Sequence, residues 1–187
     1  MRMKNLFPMV ALATIMVSCG TQKQATTTTK SNSFGEEITV PCMEYSYDDV
    51  NNFRALGSAI GVNIQNARTE AFESAKSMLV QRFGGKVKSV SELYTRSISA
   101  GNADNVSQIL ESDMQVTIER MIGDAKKTCE KVTKDEAGNY NVFIAIQVSK
   151  KEMKDLVVEN AAKDERLGVE QHRDEFRKIF EKEFENE

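Results

Sequence analysis

Tryptophan is absent from this chain, and the residue types that most often mark a catalytic or metal site are scarce, with one histidine and three cysteines in 187 residues. The single histidine, His172, sits between Gln171 and Arg173 in a charged segment and reads as a solvated position. It leaves no second imidazole for a metal, and Cys42 and Cys129 alone do not make a zinc site. No G-x-S-x-G or Ser/Lys signature is present to supply an activated nucleophile. The glycines of GSAIGV are followed by neither GxxxxGK[ST] nor GxGxxG, so close packing explains them better than a phosphate loop. The carboxylates of Glu36-Glu37 and Asp48-Asp49 are adjacent, which in a strand turns them to opposite faces and is unlike the spaced pair of a glycosidase. Glu111, Asp113 and Glu119 fall on a helix surface. The lack of tryptophan also argues against sugar stacking, although Tyr45, Tyr47, Tyr94 and Tyr140 remain. There is no Lys/Arg stripe for nucleic acid and no polybasic cluster for anionic lipid. No enzyme activity, cofactor or metal is expected.

What the chain does have begins at its N-terminus. Arg2 and Lys4 form a basic start, and residues 6–17 are mostly apolar, interrupted by Pro8 and Thr14. That run falls short of the roughly 20 residues a bilayer requires and fits the core of a cleaved secretory signal, expected over residues 1–18. Met16-Val17-Ser18-Cys19 closes it. The segment resembles the lipobox of bacterial lipoproteins, which implies diacylglyceryl transfer to Cys19 and a new N-terminus there. The alternative is an ordinary signal cleaved near Ala13 or Ser18. Several acyl chains on one cysteine give stable anchoring where one gives marginal binding. Residues 19–35, with a four-threonine run and almost nothing apolar, read as a tether that cannot bury enough surface to fold. A flexible chain of this length reaches about 20–24 Å on average. No acidic cluster follows Cys19, which favours the periplasmic face, expected at the outer membrane.

With residues 1–18 removed, 169 of the 187 residues remain, enough for one domain with a core. The full chain carries a net charge of −3. Cys42 and Cys129 are left over in an oxidising compartment, either as a disulfide or as two separately buried thiols.

The hydrophobic period predicts an α+β domain over residues 36–162, with an antiparallel or mixed sheet of about four to five strands packed by two helices. Residues 37–43 alternate as a short edge strand carrying Pro41. Residues 53–62 read as a strand with Leu56, Ile60 and Val62 on one face and small residues on the other. Asn63 caps a helix striped by Ala67, Ala71 and Ala75, so that it can lie close to the glycine-containing strand; Gly84-Gly85 is expected to end it. Residues 87–98 are β-prone and read as a long strand. Residues 104–122 read as a second helix. Residues 125–133 and 140–149 form a hairpin through Gly138-Asn139, with the second strand central because its period-two signal is the clearest in the chain. Residues 150–162 are helical, and 163–187 form a charged amphipathic helix whose stripe carries Phe176, Phe180 and Phe184, by default packed on the domain itself.

The segments FRALGSAIG and NARTEAFESAKSMLVQRFGGKVKS, followed by GNYNVFIAIQVSK, resemble the LPP-twenty-like bacterial lipoproteins and the N-terminal domain of flagellar assembly protein T. The likeness covers residues 53–150 and rests on packing motifs. It implies a small α+β domain in an envelope lipoprotein without catalytic apparatus, and it supplies no site residues. Pro41-Cys42 and the charged C-terminal helix depart from the pattern.

The expected function is therefore that of a membrane-anchored envelope lipoprotein acting by structural or protein contacts, with an envelope protein or a second copy as partner. The alternative is capture of a small molecule or peptide, for which Tyr45, Arg54 and Tyr94 are the candidate residues. A ligand-sized pocket beside Arg54 and Tyr94 discriminates between the two.

Overall fold

A computed structural model describes residues 38–98 and 103–185. The expected signal, Cys19, the tether and most of the 99–105 loop lie outside the described residues. From Thr39 to Glu187 the chain forms one compact unit, and it is α+β. Three antiparallel strands, β1 (Asn52–Gly61), β2 (Lys126–Lys134) and β3 (Tyr140–Ser149), lie in the order β1-β3-β2. Four helices accompany them: α1 (Ile64–Ser97), α2 (Ala103–Gly123), α3 (Lys150–Lys163) and α4 (Arg173–Glu185). Among the described residues no helix is long and apolar enough to cross a membrane.

β3 is central because alternate residues from Val142 to Val148 are apolar and can bury one face between two neighbours. The connection from β2 turns at Gly138, whose φ of 90° favours glycine, while Asp135 accepts the amide of Asn139 at 2.8 Å. β1 buries Phe53, Ala55 and Gly57, the side of small residues. Asn63 then caps α1, its Oδ1 accepting the amides of Gln65 and Asn66 at 2.8 and 3.1 Å. The helix folds back over β1 on Ala67, Ala71 and Ala75, all fully buried.

Three expectations need correction. Gly84-Gly85 does not end α1: both glycines are exposed and helical, and the helix runs on to Ser97. The strand expected over 87–98 is its C-terminal third. Val87, Val90 and Tyr94 are spaced by three and four residues, continue the buried stripe, and pack where α2 and α4 meet α1; packing there outweighs β propensity. Residues 38–43, the described part of the expected edge strand over 37–43, contribute no strand either. Pro41 lacks an amide donor, Cys42 takes a left-handed φ of 63°, and a 3-10 turn over Met43–Tyr45 follows. The sheet therefore has three strands where four to five were expected.

Only α1 lies extensively on the sheet; α2 packs on α1 and α3, and α4 packs on α1 and α3. Phe176, Phe180 and Phe184 of α4 are buried in the same core as Phe53 and Phe83. Phe180 stacks on Phe184 at 4.2 Å, and Phe53 meets Phe83 edge-on at 4.8 Å. Each large apolar side chain withdrawn from water in this way stabilises by roughly 1.5–3 kcal/mol.

Candidate interaction surface

The helices cover one face of the sheet. The register places Arg54, Leu56, Ser58 and Ile60 of β1 on the other face, beside Gln147, Ala145, Phe143 and Asn141 of β3 and Cys129 and Lys131 of β2. What lies over this outer face is the segment that replaces the expected edge strand. Residues 39–51 form a strap held at both ends. At one end Cys42 and Cys129 are joined in a disulfide, with Cα atoms 5.8 Å apart. At the other end two aspartates close the start of β1. Asp48 Oδ1 accepts the amide of Arg54 at 2.7 Å and a bond from Arg82 Nη2 at 3.2 Å. Asp49 Oδ1 accepts the amides of Asn51 and Asn52 at 2.8 and 2.7 Å, and its Oδ2 pairs with Arg54 Nη2 at 2.5 Å. The amide bond from Asn51, with help from Asn52 and Arg54, holds the Asp49 carboxyl below the usual aspartate range. The adjacent carboxylates set aside by the sequence are thus hydrogen-bond caps for a strap.

The two edges of the sheet are unlike. β2 carries Lys126, Lys127, Lys131 and Lys134 and an irregularity between Lys127 and Cys129, features that discourage strand addition. Glu130 on that strand bonds Lys127 and receives Arg68 Nε of α1 at 2.6 Å. The bond from Lys127 foremost, and then that from Arg68, holds its carboxyl below the usual glutamate range. On β1 the amide of Arg54 points off the edge to Asp48. By strand alternation the amides of Leu56, Ser58 and Ile60 point the same way, and β1 itself carries no charged residue after Arg54.

Between the strap and the β1 edge lies a cavity of about 260 Å³, lined mainly by Met43, Leu56, Met78, Leu79 and Arg54. It receives Arg54 but neither Tyr45 nor Tyr94. Tyr45 is exposed on the strap. Tyr94 is fully buried across the core, its hydroxyl donating to Leu167 O at 3.2 Å and its ring edge-on to Phe176 at 5.1 Å. Burial pushes its phenol up to about 12. The three residues proposed to hold a ligand therefore do not form one site, because α1 turns Tyr94 inward. His172 is exposed on the approach to α4, and among the described residues no three His, Cys, Asp or Glu side chains come together to hold a metal.

The apolar surface was not readable from the sequence. Tyr47 is 64% exposed, Val50 90%, Ile60 67% and Val62 83%, and Met43 and Tyr45 are partly open beside them. These belong to the strap and to β1 with its end. Elsewhere among the described residues from Thr39 onward the large exposed apolar side chains are Met78, at the cavity mouth, Val116 and Leu156. No family model, no curated protein and no solved structure matches the chain.

Proposed function

We propose that this chain is a lipid-anchored lipoprotein of the bacterial envelope whose folded unit works by contact and not by catalysis. The observation that carries the reading is Met16-Val17-Ser18-Cys19 at the end of a short apolar run behind Arg2 and Lys4. A Cys42–Cys129 bridge accords with an oxidising compartment such as the periplasm. The resemblance of residues 53–150 to LPP-twenty-like lipoproteins points the same way. The strap and β1 expose Tyr47, Val50 and Ile60, apolar side chains of the kind that contact-making proteins present. The lack of an acidic cluster after Cys19 favours the periplasmic face, and the membrane proposed is the outer one.

The test is incorporation of labelled lipid in growing cells. Label is expected on the natural chain and absent from Cys19→Ala, with the variant released from the membrane fraction. Label that persists on Cys19→Ala overturns the proposal.

A further inference from the structure

Tyr47 and Val50 are exposed on the strap by the start of β1, and Ile60 and Val62 are exposed at the far end of that strand. Thr39 is the first residue of the folded unit and lies twenty positions after Cys19. A chain of that length spans at most about 70 Å and, if flexible, about 25 Å on average. Whatever holds Cys19 therefore stays within about 70 Å of Thr39, where the strap begins.

Three features of the strap side suit it to a lipid surface. Its large exposed apolar groups are tyrosine, isoleucine, valine and methionine, with Glu44, Asp48 and Ser58 exposed among them; tyrosine in particular partitions into the boundary between headgroup and acyl chain. Of its three carboxylates, Asp48 and Asp49 are already paired with Arg82 and Arg54, which leaves Glu44 as the exposed acid facing anionic headgroups. The disulfide and the aspartate caps fix the strap before any contact is made, so little ordering opposes docking.

We infer that the strap side of the sheet lies against the bilayer that holds the anchor, with Tyr47, Ile60 and Val62 entering its interface. The inference rests on acylation at Cys19. It makes the protein a unit laid on the membrane, with its helical side turned away.

The lack of tryptophan supplies the experiment. Tyr47→Trp and Val116→Trp each install a single reporter at an exposed position, one on the strap and one on α2. The acylated full-length variants are placed in vesicles of phosphatidylethanolamine and phosphatidylglycerol whose acyl chains are brominated, and acylation is verified by mass. Tyr47→Trp is expected to be quenched several-fold more than Val116→Trp. Because the attraction is apolar, the difference is expected to survive high salt, and Ile60→Glu with Val62→Glu is expected to reduce it. Equal quenching at the two positions, with acyl chains present, overturns the docking and leaves the anchor standing. Absence of acyl chains overturns the anchor and the docking with it. A Tyr47→Trp emission that shifts with protein concentration in the absence of vesicles, without quenching on them, overturns the docking by assigning the surface to a second copy joined through β1.

Discussion

A methyl group added to Gly57 would lie 2.1 Å from the carbonyl oxygen of Ala71 and 2.4 Å from the amide nitrogen of Ala75. Both neighbours are helix backbone, which cannot move aside as a side-chain tip can. Gly57→Ala is therefore expected to cost about 3 kcal/mol, the upper part of the overpacking range, read as a lower denaturant midpoint at unchanged slope. Tyr94 makes a smaller but more diagnostic contribution. Tyr94→Phe leaves Leu167 O without its donor and is expected to cost about 1 kcal/mol. Its hydroxyl also sets an alkaline limit. The folded phenol titrates near 12 against an ordinary 10.0; its contribution is whole below 10 and is lost as pH rises through 12. Thermal melts from pH 9 to 12 are expected to fall less steeply for Tyr94→Phe than for the natural chain. Glu130 acts in the opposite sense. Its folded value is lowered by Lys127 and Arg68, so its contribution is present above 4.5 and disappears as pH falls below that value. Glu130→Gln is expected to flatten the fall in melting temperature in melts taken below pH 4.5.

At the scale of elements, α1 is where local sequence and tertiary packing disagree most. Gly84 and Gly85 sit in its exposed middle with nothing within 4 Å of an added methyl. Each glycine costs roughly 1 kcal/mol relative to alanine in a helix interior. Gly84→Ala and Gly85→Ala are therefore expected to raise stability, each by up to about that amount, measured as an increase in melting temperature. The same pair explains why the helix was expected to stop there. Beyond it, Val87, Val90 and Ile98 suggest a strand by residue type, and only their spacing with Tyr94 reveals a helix. β3 was legible because it is buried on one face along its whole length, which forces strict alternation. The close packing of α1 on β1 was legible for a similar reason, since alanine and glycine at matching intervals serve little else. The strap was not legible. Its alternation of Ile38, Val40 and Cys42 imitates a strand, and its true shape depends on Asp48 and Asp49 reaching β1 and on a covalent bond to a residue 87 positions away. The apolar surface was hidden for a further reason. Leu56, Ile60 and Val62 were correctly grouped on one side of β1, but a single strand does not say which of its faces the helix will cover.

The whole molecule is stabilised by one covalent closure around β1, α1 and α2. Reduction of Cys42–Cys129, or Cys42→Ser, is expected to cost about 2–5 kcal/mol. Loss of the strap from the outer face should accompany it, seen as faster amide exchange at Asn52 and Arg54, whose donors the strap aspartates now accept. The closure also decides how the molecule would carry a load. A pull transmitted from the N-terminal side enters at Cys42, crosses the sulfur bridge to Cys129, and continues through β2, β3, α3 and α4. Residues 43–128, which include β1, α1 and α2, lie off that line and bear no tension while the bridge is intact. Drawn out by its two ends, the oxidised protein can yield only the chain outside the loop, and the reduced protein can yield all of it. The bridge thus keeps tension off β1, α1 and α2 and places it on the C-terminal part of the fold.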